Sequence, residues 1–123
     1  MKRFTRQQEA ILSTLKKEER PLSVEEILSH ASEVVDSINL STIYRNLKVL
    51  IFENKVQKID IPGENPCYEI QSSGHYHYFH CDDCSRVYRL DSCPGRLENL
   101  LPSGFFLRTH SITLHGSCAD CVQ

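Results

Sequence analysis

The sequence predicts an α+β protein of two parts, an N-terminal winged helix-turn-helix domain followed by a small α/β domain. Three stretches with apolar residues at helical spacing come first, and two short alternating segments follow them, which is the element order of a winged helix. Two Cys-x-x-Cys pairs lie in the second half, at a spacing typical of a four-sulfur zinc site. Charge also divides the chain: ten Lys/Arg oppose eight Asp/Glu in residues 1–58 (net +2), and four oppose eight in residues 59–123 (net −4). The two parts therefore have the composition of modules with separate tasks.

The first three elements are predicted to be helices. Thr5 and Ser23 are placed to cap the first two, because short hydroxyl side chains can accept a backbone N–H at a helix start. We expect Ser41 or Thr42 to cap the third helix and Asn54 to be its C-cap. The apolar residues of the third helix recur at helical spacing and predict a buried stripe, which consists of Ile43, Leu47, Leu50 and Ile51.

The next two elements are predicted to be strands of a hairpin. Residues 56–61 alternate between apolar and polar, and residues 67–70 return as a second strand after a turn rich in proline and glycine. The first domain is therefore expected to be a winged helix that spans residues 1–70. A short polar hinge at 71–74 joins it to a second domain at 75–123.

The second domain is predicted to be a small α+β module. Residues 75–80, 86–90 and 105–114 have the composition of strands, and Pro94 suits the first turn of a short helix that ends near Leu101.

The two cysteine pairs predict a structural zinc site. Each pair can lie on one tight turn and occupy adjacent corners of a tetrahedron, so two pairs complete the coordination of one ion. The alternatives are two disulfides or four buried thiols. The expected ligands are Cys81, Cys84, Cys118 and Cys121.

The chain is expected to work in the cytoplasm and to contact no membrane. No apolar run approaches the roughly 18 residues that a membrane span needs. No apolar stretch follows the charged N-terminus, so we expect no secretory signal. Reducing conditions in the cytoplasm favour metal binding by thiols over disulfides.

A second, regulatory metal site is indicated by the remaining ligand types of this domain. His75 and His77 are two residues apart on a predicted strand, so both side chains leave the same face. His110 lies on the other long strand and Cys93 before the short helix. One sulfur and three imidazoles suit zinc or another borderline-soft divalent ion. The alternative is that the histidines are ordinary strand residues and Cys93 is a small buried hydrophobe.

Other candidate ligands are expected to have packing or surface roles. His80 falls on the opposite strand face from His77, and His115 alternates away from His110, although either could serve another site. Cys67 and Glu69 lie on the last strand before the hinge, where they pack the strand or, alternatively, bind a metal.

The third helix has the character of a DNA-recognition helix. Major-groove reading requires an exposed helix face with hydrogen-bond donors. The polar residues expected on that face are Ser41, Thr42, Tyr44, Arg45 and Lys48. Flanking phosphates could be met by basic residues outside the helix, namely Lys55, Lys58, Lys2, Arg3 and Arg6. The alternative is a plain three-helix bundle with solvated polar residues.

Five segments, in chain order, resemble the ferric uptake regulator family, and together they cover nearly the whole sequence. They are Thr5-Arg6-Gln7-Gln8, Leu40-Ser41-Thr42-Ile43-Tyr44-Arg45-Asn46-Leu47, Cys67-Tyr68-Glu69-Ile70, the histidine-rich strand into Cys81-Asp82-Asp83-Cys84, and His110 through Gly116-Ser117-Cys118. The resemblance implies a homodimeric, metal-dependent repressor that binds operator DNA and takes no small-molecule substrate. It also implies that residues 41–54 form the recognition helix and that the second domain dimerises.

The chain departs from the family pattern at one site. Members that sense iron or peroxide usually have histidines where this chain has Tyr76 and Tyr78, and a further histidine near Pro21. Glu69 remains from that hinge site. The other site of the family matches His75, His77 and His110 in this chain.

Cys93 stands near the position where many family members have a glutamate, and a sulfur ligand there resembles the zinc uptake regulators of the family. Glu98 is an alternative carboxylate ligand. The resulting prediction is a zinc-sensing repressor of metal-uptake genes. The alternatives are an iron- or peroxide-responsive regulator, a redox sensor that uses the cysteine pairs and, from another class, a zinc-dependent hydrolase or deaminase.

Overall fold

The structure, a computed structural model, describes residues 4–122. The chain divides into two compact units, residues 1–73 and residues 74–123. Three helices and a two-stranded sheet form the first unit, and a three-stranded sheet forms the second, so the predicted α+β class is confirmed. No helix in the described part of the chain is both long and apolar enough to cross a membrane.

The first two helices begin where the sequence predicts. Helix α1 (Arg6–Glu18) is capped by Thr5, and helix α2 (Val24–Ala31) is capped by Ser23. Each cap is a complete capping box, in which the cap side chain accepts the N–H of the third helical residue and that residue's side chain accepts the cap N–H. These reciprocal bonds satisfy backbone donors that the helix itself cannot.

Helix α3 (Leu40–Phe52) begins earlier than predicted because a better cap precedes it. Asn39 Oδ1 accepts the backbone N–H of Thr42 at 3.0 Å and the Thr42 hydroxyl at 3.1 Å. The prediction that Ser41 or Thr42 caps this helix is therefore wrong. The C-cap is Glu53, and Asn54 follows it in the left-handed conformation (φ 60°), so the predicted C-cap lies one residue too late.

A polar contact ties the start of α1 to the middle of α3. The buried Gln8 uses its amide oxygen to accept the Thr5 N–H and its amide nitrogen to donate to Asn46 Oδ1 at 3.2 Å. Asn46 in turn donates to the Thr42 carbonyl at 2.9 Å. The cap of one helix thereby helps to position the exposed face of the other.

The hairpin closes the core of the first unit. Strand β1 (Val56–Ile59) pairs antiparallel with strand β2 (Cys67–Ile70), and Leu22 bridges to Tyr68. The predicted first strand, 56–61, is thus two residues shorter in the structure. One apolar cluster joins all these elements, and among its fully buried side chains are Ile11, Leu22, Ile27, Ile43, Leu47, Leu50 and Val56.

The second unit is built on a three-stranded sheet. Strand β3 (His77–Cys81) pairs antiparallel with β4 (Val87–Leu90) and parallel with β5 (Thr113–Gly116), so the strand order is β4-β3-β5. A single 3-10 turn, Leu97–Leu100, lies between β4 and β5. Parallel pairing of β3 with β5 requires a long connection, and residues 82–112, which include β4, supply it.

Two predictions for this unit are wrong in extent. Gly95 and Arg96 both adopt left-handed backbone angles (φ 68° and 52°), so a helix cannot continue from Pro94 and only the 3-10 turn forms. The predicted strand over 105–114 is reduced to Thr113–Gly116, because the five-residue β3 offers partners only to those four residues. A composition typical of strands does not make a strand where no partner strand runs beside the segment.

Candidate metal centres

The structure brings the four paired cysteines together in one cluster of the second unit. Their sulfur atoms lie within 4.8 Å of one another, and Cys84 Sγ is 3.8 Å from Cys118 Sγ. Four sulfurs at about 2.3 Å from one tetrahedral ion lie about 3.8 Å apart. All four cysteines are free thiols, so the disulfide alternative is not realised in this structure.

Local backbone donors prepare this cluster for a cation. The Cys118 N–H donates to Cys81 Sγ at 3.3 Å. Burial raises the pKa of Cys81, but backbone donors from Cys118, Cys84 and Asp83 outweigh it and lower that pKa to about 6. The pKa of Cys121 is raised, first by its hydrogen bonds to Cys118 and Cys81. Some sulfurs therefore favour the thiolate while others retain protons, and a divalent ion would replace those protons.

A second cluster combines three imidazoles with one thiol. His75 Nε2 lies 3.0 Å from His110 Nε2, and Cys93 Sγ lies 3.3 Å from the Nε2 atoms of both His77 and His110. All four ligand atoms lie within 4.8 Å of one another. His77 is buried, His110 is half-buried, and His75 and Cys93 are exposed. Three nitrogens and one sulfur that converge in this way suit a borderline-soft divalent ion.

Protons and metal compete at His77. The Ile112 N–H donates to His77 Nδ1 at 3.2 Å, so the neutral ring carries its proton on Nε2, the atom that faces Cys93. Burial, and then the nearby His75 and His110, lower the pKa of His77. The neutral ring is therefore favoured, and metal binding at Nε2 requires the remaining proton to leave that atom.

A third group of ligand-type side chains joins β3 to β5. His80 Nδ1 lies 3.2 Å and His115 Nδ1 lies 3.6 Å from the same oxygen, Asp82 Oδ1. The sequence favoured packing or surface roles for both histidines, with a ligand role in another site as the alternative, and indicated no role for Asp82. The available signal was the two-residue spacing of His80 and Asp82, but the parallel register that brings His115 beside them has no sequence signature.

Three further candidate ligands do not join a cluster. Cys67 and Glu69 are buried on β2, and neither belongs to a group of three or more metal-binding side chains among residues 4–122. Burial, followed by the charge of Glu26, raises the pKa of Cys67 to about 11, which disfavours the thiolate that a metal needs. Glu98 is exposed in the 3-10 turn and lies outside the His75, His77, Cys93 and His110 group.

Helix α3 presents most of the predicted DNA-facing residues to solvent. Its exposed side chains include Ser41, Tyr44, Arg45 and Lys48. Thr42 does not fit that expectation, because it is buried and its hydroxyl donates to Asn39.

The basic residues outside α3 have different surroundings. Lys55 and Lys58 are exposed, and Arg6 is exposed with its guanidinium donating to the Val34 carbonyl at 3.1 Å. Lys2 and Arg3 lie outside the described residues.

These features define a class, a small α+β protein with a helical unit and a separate unit rich in metal-ligand side chains. The sequence model of the ferric uptake regulator family matches residues 2–115. The chain belongs to this family. Its members are metal-responsive, DNA-binding transcription regulators, so the predicted alternative of a hydrolase or deaminase is wrong.

Relatives and solved structures agree with this assignment. A ferric uptake regulation protein from Synechococcus elongatus is 30% identical over 106 residues, which cover 83% of this chain and 72% of the relative. A zinc-bound manganese uptake regulator superposes with a TM-score of 0.79 at 24% identity, covering 95% of this chain and 91% of the other, and at that identity it supports the fold alone. A zinc uptake regulator solved with zinc and DNA superposes with a TM-score of 0.61 at 26% identity, covering 96% of this chain and 82% of the other.

Proposed function

We propose that the protein is a zinc-responsive repressor that binds operator DNA as a homodimer and controls metal-uptake genes. The observation that carries the choice of metal is the position of Cys93 Sγ, 3.3 Å from two imidazole nitrogens. Thiolate and imidazole donors favour zinc, whereas carboxylate and water donors favour manganese and other harder ions.

The two clusters have different roles in this proposal. Cys81, Cys84, Cys118 and Cys121 hold a structural zinc ion whose four sulfurs leave no open position. His75, His77, Cys93 and His110 hold the regulatory ion. His75 lies just before β3 and His77 begins it, Cys93 lies in the loop after β4, and His110 lies in the segment before β5. A bound ion would therefore tie together three parts of the unit.

Dimerisation is proposed to occur through the second unit. Large apolar side chains there are exposed to solvent, among them Phe106 at 80% and Phe105 at 67%. Both lie a few residues before His110, so an ordered regulatory site would restrict the same segment. A dimer grips two operator half-sites only when its recognition helices match the spacing of the grooves. Metal therefore favours the binding-competent dimer, and DNA must tighten metal binding by the same factor.

Contacts to DNA are proposed for the exposed residues of α3. Arg45 can donate to a guanine or clamp a phosphate, and Tyr44 can contact a thymine methyl. Ser41, Lys48, Lys55 and Arg6 would meet the backbone. Thr42 would act indirectly, by holding the cap of the helix.

The metal is tested by DNA binding in the presence of different ions. Duplexes are selected from a random pool in parallel with zinc, iron(II) and manganese, and the selected sites are then titrated in mobility-shift assays at buffered free metal. We expect zinc to activate binding at the lowest free concentration. Activation by iron(II) at a lower free concentration than zinc would contradict the zinc assignment and favour the iron-responsive alternative.

The regulatory site is tested with Cys93→Ser. For this variant, the free zinc concentration that activates DNA binding should rise at least about tenfold, because an alcohol is a poor zinc ligand. Ser92→Ala, which changes the neighbouring exposed residue, is the matched control and should respond as the wild type does. A fully responsive Cys93→Ser protein would remove Cys93 from the site.

The recognition helix is tested with Arg45→Ala. We expect operator affinity to fall about 5- to 150-fold, the range for the loss of one good bidentate base contact. Lys16→Ala, which removes an exposed charge from α1, is the control for a general electrostatic effect. Equal losses in both variants would show that α3 makes no specific contact through Arg45.

A further inference from the structure

We propose that His80, Asp82 and His115 form a third metal site, which binds a divalent transition-metal ion through two imidazole nitrogens and one carboxylate oxygen. The site is separate from the two centres described above and goes beyond the proposed function.

The strand register places the two histidines on one face, and the turn after β3 brings Asp82 beside them. His80 and His115 are direct partners in the parallel pairing of β3 with β5, so their side chains leave the sheet on the same side, with ring centroids 5.4 Å apart. Asp82 lies in the turn that directly follows β3, and its carboxylate reaches both rings. The sulfur of the intervening Cys81 belongs to the four-cysteine cluster instead.

The distances fit ligands of one ion. The three ligand atoms lie within 4.8 Å of one another, and the two histidine Nδ1 atoms lie 3.2 Å and 3.6 Å from Asp82 Oδ1. Nitrogen and oxygen ligands that are each about 2.0–2.2 Å from a common ion are separated by about 2.8–3.6 Å at bond angles of 90–109°. Two pairs in this group therefore already have the separation that coordination requires.

Burial and backbone bonding hold the ligands in place before an ion arrives. His80 is only 3% exposed, which restricts its ring. The Asp82 N–H donates to the Gly116 carbonyl at 2.7 Å, and this bond keeps the aspartate beside β5. Asp82 and His115 are exposed, so an ion can enter from solvent.

The donor set determines the class of ion and the strength of binding. Two histidines and one carboxylate suit first-row divalent ions such as cobalt, zinc, nickel and iron(II), and three protein ligands leave positions for water. Because the set contains no sulfur and is open to solvent, it should bind more weakly than the two sulfur-containing centres. We expect it to fill only when metal exceeds two ions per chain.

Cobalt titration of the zinc-loaded full chain tests the proposal. Protein that holds two zinc ions is titrated with Co²⁺ and followed by visible absorption and by equilibrium dialysis. We expect one cobalt ion per chain to bind with a dissociation constant of about 1–100 μM. Its spectrum should show weak bands and no sulfur-to-cobalt charge transfer, because sulfur is absent from the site. Failure to bind cobalt at about 1 mM would overturn the proposal and leave Asp82 Oδ1 as the partner of one hydrogen bond with His80 Nδ1, with His115 Nδ1 at 3.6 Å.

Two variants and one control assign the third ion to these residues. His115→Gln and Asp82→Asn change exposed side chains, and each should weaken cobalt binding at least about tenfold while retaining two zinc ions. His30→Gln is the matched control, because His30 also lies near a carboxylate, 3.0 Å from Glu18 Oε1, but belongs to no three-ligand group among the described residues. Unchanged cobalt binding in either cluster variant that keeps its two zinc ions, or an equal loss in His30→Gln, would overturn the proposal.

Discussion

At the residue scale, Cys67 shows how burial decides what a thiol can do. It is 4% exposed in β2, and burial, followed by the charge of Glu26, raises its pKa to about 11 from an ordinary value near 9. A thiol with this pKa stays protonated at neutral pH, so it is a weak metal ligand and a weak nucleophile. Of the six cysteines, Cys67 therefore fits a packing role, the first of the two roles that the sequence left open for it.

The raised pKa of Cys67 predicts a loss of stability at alkaline pH. The folded chain holds this proton more tightly than the unfolded chain, so its contribution is complete below about pH 9 and is lost as the pH rises through 11. With allowance for solvent screening, we expect the free energy of unfolding of wild type to fall by about 1–2 kcal/mol more than that of Cys67→Ala between pH 8.5 and 11. Urea titrations of both proteins across this range provide the measurement. Parallel pH profiles would show that Cys67 does not carry the effect.

The ligand residues differ in how far the sequence could predict their positions. Residue type and spacing alone indicated the two cysteine pairs, because a Cys-x-x-Cys turn encodes its own local geometry. The set of His75, His77, Cys93 and His110 needed the resemblance as well, since long connections separate its members. The sequence did not predict that Asp82 would lie beside both His80 and His115. This grouping depends on which residue of β5 lies opposite His80, and register between distant strands is a tertiary property.

At the element scale, the cap of α3 is where local sequence rules gave the wrong residue. Ser41 and Thr42 are both good capping types, yet Asn39 precedes them and reaches the same backbone donor with its amide oxygen. The other two helices have capping boxes, whose two reciprocal partners fix the start more firmly, and their starts were predicted correctly.

The cap predicts the effect of substituting Asn39. Asn39→Ala should destabilise the first unit by about 1 kcal/mol, because it removes the acceptor of the Thr42 N–H and leaves the buried Thr42 hydroxyl without this partner. Far-UV circular dichroism in urea measures the change. Ser41→Ala is the matched control and should change stability by less than about 0.5 kcal/mol, because Ser41 is exposed. A larger loss in Ser41→Ala than in Asn39→Ala would return the cap to Ser41.

The elements that were predicted too long have a common cause. Pattern recognition within one segment indicated a helix from Pro94 and a strand from Phe105, but both depend on conditions outside the pattern. The backbone turns left-handed at Gly95, and β3 is too short to pair with residues before Thr113. The type of the strand could be predicted from its composition, but its length depends on the neighbouring β3, and left-handed backbone at Gly95 and Arg96 prevents a helix from Pro94.

At the scale of the whole molecule, the two units differ in what holds them together. The large apolar cluster consists entirely of residues from the first unit. Among the described residues of the second unit, the buried hydrophobic side chains are few: Cys81, Val87 and Cys118. Small modules with so little apolar burial usually depend on a metal, a disulfide or an oligomer interface, and the cysteines here form no disulfide. Bound zinc, together with the proposed dimer interface, is therefore expected to stabilise this unit.

Removal of the structural ion should unfold the second unit selectively. In Cys84→Ser, or after treatment with a strong zinc chelator, we expect amide resonances of residues 74–122 to lose dispersion while those of residues 4–73 keep it. Two-dimensional NMR of the full chain reports both units at once. Cys67→Ser is the matched control, because it removes a thiol outside the cluster and should retain zinc and the second unit's dispersion. A Cys84→Ser protein with a native second unit would show that the four-sulfur cluster is not structurally required.

Strand β3 has a consequence for how this gene can vary. Its five residues contribute His77 to one ligand cluster, His80 to another and Cys81 to the third. Inserting or deleting one codon at the start of this stretch would turn the side chains beyond it to the opposite face and disrupt more than one cluster in a single event. Point substitutions, in contrast, alter one donor at a time. Metal preference can therefore change through single substitutions, whereas a change in the length of β3 would disrupt several clusters at once.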